Sequence, residues 1–243
     1  HAILARKPKR LARLAPALIL LIAFVGYLTA APVSIALRSD MRTFETPQEV
    51  TLASGQYALL DASTAIADDT DAAARVVHLH QGAAYFDLAT TAQAFTIEAG
   101  DVTATAQGAS FEVSRFDDAI IVAVAEGAVT VAAGGKVRQV AANERLIWTG
   151  GQDLIVDDVD PAEIATWRFD RFSLDGLSFS QAVAVVERRL PGWVMIIGDG
   201  LAETAMTGAI DLDRPQSALA ALTVSRGAER LSLTPYLTVI RSA

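Results

Sequence analysis

The sequence predicts a mainly β protein with a C-terminal α+β module, preceded by one transmembrane helix. Three observations predict it. Turn-forming residues punctuate residues 43–156 at intervals that fit strands and not helices. From Asp160 onward, apolar residues recur at helical spacing between short apolar runs. Ahead of both, a basic cluster runs straight into an uncharged stretch.

Arg6, Lys7, Lys9, Arg10 and Arg13 precede residues 14–37, which carry no charge. That stretch exceeds the roughly 20 residues that span a hydrocarbon core at about 1.5 Å rise each. The basic flank, residues 1–13, is expected to stay in the cytoplasm, which places everything after Arg38 on the far side of the membrane. A cleaved secretory signal is the competing reading, since residues 17–25 form a short apolar core followed by the small residues Thr29, Ala30 and Ala31. Cleavage after Ala31 would put Pro32 against the scissile bond, and a chain starting at His1 rather than Met is expected to continue upstream. Both points favour the anchor.

The chain carries 20 Lys+Arg against 28 Asp+Glu, yet residues 1–42 hold seven of the basic residues and only Asp40 of the acidic ones. The remainder is therefore strongly acidic. Such a surface repels phosphate, which makes nucleic acid a poor partner, and suits docking on proteins with basic patches. The complete lack of cysteine excludes disulfide frameworks and cysteine-zinc sites.

Residues 43–159 read as an all-β domain of about ten short strands, solenoid- or sandwich-like, with a barrel equally compatible with the pattern. Gly55, Gly82, Gly100-Asp101, Gly108, Gly127 and Gly134-Gly135 mark the turns, and between them residues alternate: Phe111 and Val113 oppose Glu112 and Ser114, and Val77 and Leu79 oppose His78 and His80. At Asp160 the pattern changes. Asp160-Pro161-Ala162-Glu163 combines an N-cap with Pro at the first helical position, and the acidic stretch 157–166 is expected to be a protease-sensitive junction.

Residues 160–243 then read as two small strand–helix–strand units. The first has a strand at 171–174, a capping box from Ser178 to Gln181, a helix with Phe179, Val183, Val186 and Leu190 on one face, a stop at Pro191-Gly192, and a strand at 193–197. The second has a strand at 206–210, a cap at Asp213, a helix at 215–222 with Leu219 and Leu222 inward, and strands at 231–234 and 237–240.

No chemistry-bearing motif emerges. His78 and His80 lie on one strand face as two metal ligands would, but no third ligand stands at a recognisable spacing. The acidic runs 68–71 and 157–160 lack the Gly and terminal Glu of a calcium loop, and Gly198-Asp199-Gly200 has Glu203 where a dinucleotide loop needs Gly or Ala. No nucleophile elbow, zinc-protease helix or phosphate loop is present. No catalytic, cofactor or metal residue is assigned, and an enzyme is not expected.

Several segments in order resemble the FecR family of membrane-spanning sigma-factor regulators. Val50-Thr51-Leu52-Ala53-Ser54-Gly55-Gln56 is similar to that family's L-x-D-G-S opening, and Leu59-Leu60-Asp61-Ala62-Ser63 to its L-x-A-x-S. Residues 75–88, with Gly82 and Phe86, resemble R-x-V-x-L-x-x-G-E-A-x-F-x-V; Ala106-Gln107-Gly108-Ala109-Ser110-Phe111 resembles A-x-G-T-x-F; and Glu126-Gly127-Ala128-Val129 resembles E-G-x-V. Trp167-Arg168 and Leu190-Pro191-Gly192 continue the likeness, and the last 75 or so residues resemble the short N-terminal (STN) module of secretins and TonB-dependent transducers.

The resemblance implies a single-pass inner-membrane protein with a cytoplasmic N-terminus and a periplasmic bulk. It implies two protein partners: the signalling domain of a TonB-dependent outer-membrane transducer, and an extracytoplasmic-function sigma factor bound through a segment upstream of His1. Iron or siderophore uptake is the regulated process it suggests. Helix 180–190 and strand 193–197 are the expected partner contacts, with Arg188, Arg189 and Trp193 as the side chains available. Gly108 and Ala109 occupy the Gly-Thr position at which relatives are thought to cleave themselves, and Ala109 has no hydroxyl. The reading from a different class is an envelope structural or glycan-binding module.

Overall fold

The structure is a computed structural model that describes residues 38–71, 74–88, 93–151 and 153–242, together with Ile35. The chain divides into two compact units, His1–Arg38 and Ser39–Ala243. The expected membrane span at 14–37 lies outside the described residues apart from Ile35. Among the described residues no helix is long and apolar enough to cross a membrane.

The second unit begins with a thirteen-stranded sheet. Its first strands are β1 (Met41–Arg42), β2 (Gln48–Thr51), β3 (Tyr57–Leu60), β4 (Ala65–Asp68) and β5 (Val76–Asp87). Then come β6 (Phe95–Ala99), β7 (Val102–Ala106), β8 (Ser110–Arg115) and β9 (Ile120–Glu126). The last four are β10 (Ala128–Ala133), β11 (Lys136–Ala141), β12 (Glu144–Trp148) and β13 (Ile155–Asp158).

The long strand β5 belongs to two limbs at once. Its first half pairs with β4 and, in parallel, with β6, leading on to β7, β10 and β11; its second half pairs with β3 and β8, leading on to β9, β12 and β13. The limbs fold over each other, so the sheet nearly closes around one core. Phe86 touches Phe95 of one limb and Phe111 of the other, with ring centroids 6.3 and 5.6 Å apart. The alternation predicted for this region follows from that geometry: Phe95, Ile97 and Ala99 point in, Thr96 and Glu98 point out.

Gly82 is where β5 changes limb. Its φ is +87°, and a Cβ there would lie 2.3 Å from Thr64 Oγ1 and 2.7 Å from Thr64 Cα, so only glycine lets the strand pass the β3–β4 turn this closely.

After β13 the chain forms two short 3-10 turns, Pro161–Glu163 and Thr166–Phe169. Asp160 caps the first, its Oδ1 accepting from Ala162 N at 2.8 Å. The protease-sensitive junction expected here is instead tied down: Ile164, Ala165 and Trp167 are buried, and Arg145 holds Asp157 through two bonds of 2.9 Å.

Next follow β14 (Arg171–Ser173), α1 (Phe179–Glu187), β15 (Trp193–Ile197), β16 (Ala209–Asp211), α2 (Pro215–Ser225), β17 (Ala228–Thr234) and β18 (Leu237–Ser242). The Ser178–Gln181 capping box is present as read from sequence. The cap at Asp213 is not: Arg214 takes the N-cap position without a side-chain bond, and Pro215 at the first turn needs no N–H partner. Both strand–helix–strand stretches form, and their strands pair across the repeat. β14 pairs with β16, while β15 runs parallel to β18, which pairs with β17.

This module packs on the outer face of the second limb. Its core of Trp167, Phe179, Val183, Val186, Leu219 and Leu222 merges with Phe116 and Ala123 and with the partly buried Leu59, Tyr85 and Ile121. The polar face expected at Glu112 and Ser114 is therefore covered rather than solvated.

Gly82→Ala is expected to destabilise the protein by more than about 2 kcal/mol, through left-handed backbone strain plus the Thr64 clash. Gly55→Ala, where φ is +82° and a Cβ meets nothing within 4 Å, should cost only about 1 kcal/mol. Urea unfolding of the two variants measures the difference.

Candidate partner-docking site

Arg188 and Arg189 follow α1 directly, a position that on a solvated helix would expose both. The structure corrects that expectation: both are buried and turned into the seam beneath the module. Arg188 Nη1 donates to Asp61 Oδ2 at 3.1 Å, and Arg189 Nη2 donates to Asp61 Oδ1 at 3.2 Å. Arg189 Nη1 reaches Asp170 at 2.6 Å, and Arg188 stacks over the Phe116 ring at 5.1 Å. Neither guanidinium is available to a partner, because a carboxylate with 1 % exposed side chain already holds both.

Glu112 forms the other half of the seam. Its Oε1 accepts from Trp167 Nε1 at 2.9 Å and from Ser114 Oγ at 2.7 Å, and its Oε2 accepts from Ala165 N at 2.8 Å. Burial pushes its pKa up; the three hydrogen bonds oppose the rise, and the nearby charge of Asp61 adds to it. Backbone strain gathers at the same place. Among the described residues, non-glycine positive φ occurs at Ser63, Asn143, Ala165 and Asp170, and all but Asn143 lie on the seam.

Trp193, the third candidate, is exposed. β15 alternates so that Val194 and Ile196 pack inward while Trp193, Met195 and Ile197 face out at 63 %, 49 % and 52 % exposure. The ladder sets Trp193 beside Leu237, Met195 beside Val239, and Val239 beside Leu231. These residues share one face, since paired residues point the same way. At its end the face is bounded by the Arg241–Glu229 ion pair. Gly192 fixes the geometry: with φ +97°, a Cβ would lie 2.1 Å from Tyr236 O, so glycine alone lets β15 begin hard against the β17–β18 turn.

The two outer edges of this three-stranded sheet differ. At β15 the N–H of Val194 is already taken by Glu187 Oε1 at 3.0 Å. Burial raises the pKa of Glu187, against the effect of that bond. At β17 every residue from Glu229 to Thr234 is exposed, and no strand covers that edge among the described residues. A contiguous apolar face beside an open edge is suited to receiving another protein by face packing or strand addition.

Candidate residues elsewhere do not converge. His78 is held by Asp69 at 3.0 Å and Glu98 at 3.1 Å and stacks on His80 with ring centroids 6.2 Å apart. No group of three or more potential metal ligands occurs among the described residues. Gly108 and Ala109 immediately precede β8. Ala109 is fully buried with its carbonyl bonded to Leu88 N, and Ser110 Oγ donates to Asp87 at 2.9 Å.

Two expectations follow. With its folded pKa above 4.5, Glu112 makes the native state bind more protons than the unfolded state. Its contribution is thus fully present below about pH 4.5 and is lost as pH rises through the folded value. Glu112→Gln should flatten the fall of stability above that pH, while costing roughly 1–2 kcal/mol at low pH because an amide N–H2 would face Ala165 N–H. Thermal unfolding across pH measures both. The Gly108–Ala109 bond should stay intact for lack of a hydroxyl at Ala109. Residues 43–243 should run as one band after long incubation, and fragments ending at Gly108 would refute this.

Comparison with known proteins places this geometry. Residues 39–130 match the family model described as FecR protein. Two crystal structures of a candidate anti-sigma factor from Parabacteroides distasonis ATCC 8503, at 1.65 and 2.50 Å resolution, share the fold with TM-scores of 0.74. The first is 20 % identical over 83 % of this chain and 97 % of that one; the second is 19 % identical over 84 % and 98 %. No curated protein matches the chain. Over residues 39–130 the chain is thus similar to the FecR protein family, and over most of its length it shares the fold of those two structures.

Proposed function

We propose that the chain is the anchored, extracytoplasmic part of a regulator of an extracytoplasmic-function sigma factor, acting by binding and not by catalysis. Residues 14–37 are the single span, with the basic flank cytoplasmic and residues 39–243 in the periplasm. The sigma factor is met from the cytoplasmic side. The periplasmic partner is the signalling domain of a TonB-dependent outer-membrane transducer, and the response is control of iron or siderophore uptake.

One observation carries the reading: a FecR-like domain supports a module whose outer sheet exposes Trp193, Met195, Ile197 and Leu231 on one face. The fold shared with a candidate anti-sigma factor agrees with it. The repeated strand–helix–strand order of residues 160–243 supports an STN-like module, whose open β17 edge and apolar face are the docking surface.

Binding of residues 39–243 to the purified signalling domain of a TonB-dependent transducer from the same organism tests this. Trp193→Asp and Leu231→Lys should each weaken binding by roughly tenfold or more, without lowering the melting temperature, because both side chains are exposed in the free protein. Full affinity in both variants would remove this face from the interaction. Absence of binding by the unmutated protein would remove the transducer as partner.

A further inference from the structure

Behind the docking face, hydrogen bonds joined by the covalent links Glu187–Arg188 and through Asp61 lead from β15 to the start of the β-domain. Glu187, in the last turn of α1, accepts from Val194 N of β15. Its neighbour Arg188 bonds Asp61 Oδ2 through Nη1, and the Arg188 carbonyl accepts from Ser63 Oγ at 2.9 Å. The Asp61 carbonyl accepts from Thr43 Oγ1, which itself accepts from Thr64 N at 2.8 Å. Thr43 follows directly on β1, the first strand after Arg38.

The two ends of this chain differ in how firmly they are held. Within the β-domain the turn 61–64 is fixed on every side: Asp61 Oδ1 takes Ala62 N, Ser63 N bonds Phe44 O, and Thr64 Oγ1 donates to Ala83 O beside the tight passage of Gly82. Within the C-terminal module the hold is incomplete. Arg189 Nε is buried without a partner, and Arg189 Nη1 rests on the half-exposed Asp170. Separating Arg188 from Asp61 would leave a buried guanidinium without its carboxylate, whereas Arg189 also has Asp170. A pull on β15 is therefore borne by the Arg188–Asp61 pair and passed as load to the 61–64 turn and, through the Asp61 carbonyl, to Thr43.

We propose that Asp61 is the coupling point through which displacement of β15 reaches residues 41–43, at the start of the β-domain. Arg188 and Arg189 are positioning residues in this coupling, and Thr43 is its far end. The inference rests on the docking reading for its purpose.

Hydrogen exchange of the full chain in detergent, with no partner present, tests it. Thr43→Val removes the hydroxyl that bonds Asp61 and Thr64, and none of the hydrogen bonds of Thr43 reaches the C-terminal module. Coupling predicts roughly fivefold or faster exchange at amides within 188–194 as well as within 41–44 and 61–65, while β9 and β12 keep their rates. Thr43→Ser, which retains the hydroxyl, should restore native rates at 188–194. Faster exchange confined to 41–44 and 61–65 overturns the proposal. If Thr43→Val speeds exchange everywhere, the reciprocal variant decides: Arg188→Gln must quicken Thr43 and Thr64 roughly fivefold or more, and unchanged rates there overturn it. Since no partner takes part, failure to bind a transducer counts against the docking reading alone, and failure of the exchange pattern counts against the coupling alone.

Discussion

A carboxylate buried between two guanidinium groups costs desolvation energy to form, and removing one partner from such a group costs about 3–5 kcal/mol because the remaining charge is stranded. Asp61 is in that position between Arg188 and Arg189. The pairing binds a turn of the β-domain to the end of α1, and much of the architecture follows from it. With α1 fixed at that end, Phe179, Val183 and Val186 settle on the outer face of the second limb, and Trp167 reaches Glu112. Charge specifies where the module sits, and apolar burial at roughly 25 cal/mol per Å² supplies the adhesion.

The same placement determines what remains outside. β15 follows the short turn 188–192 that ends α1, its inner residues Val194 and Ile196 complete the second core, and no strand or helix among the described residues covers its outer ones. An exposed apolar sheet face is unusual on a soluble surface and marks an interaction site. The rigid β-domain thus holds the module from behind while the module presents its free face forward. The relay proposed above would depend on such an arrangement, because a binding event on a loosely tethered module would move only that module.

Local features were legible from sequence, and features set by distant packing were not. The Ser178–Gln181 box, the Asp160 cap and the alternation of Val77 and Leu79 with His78 and His80 depend on neighbouring residues alone, and each is present, whereas the helix expected to run to Leu190 ends at Glu187. The burial of Arg188 and Arg189 depends on Asp61, more than a hundred residues away, and two adjacent arginines at a helix end look like a solvated face. Signals existed nonetheless. Asp61 is a lone charge inside Ala58-Leu59-Leu60-Asp61-Ala62, and the unbroken apolar run 119–125 of β9 indicates a strand covered on both faces. Reading Glu112 as a solvated strand position assumed one buried face where there are two. The cross-pairing of β14 with β16 had no local signature at all, since each strand is only three residues long.

The central claim is that the β-domain and the C-terminal module form one cooperative body through the Asp61 and Glu112 seam. Differential scanning calorimetry of residues 39–243 measures this directly. A single transition, with calorimetric and van't Hoff enthalpies equal, is the predicted result. Two resolved transitions, or a van't Hoff enthalpy well below the calorimetric one, would show that the module folds apart from the β-domain and would contradict the account.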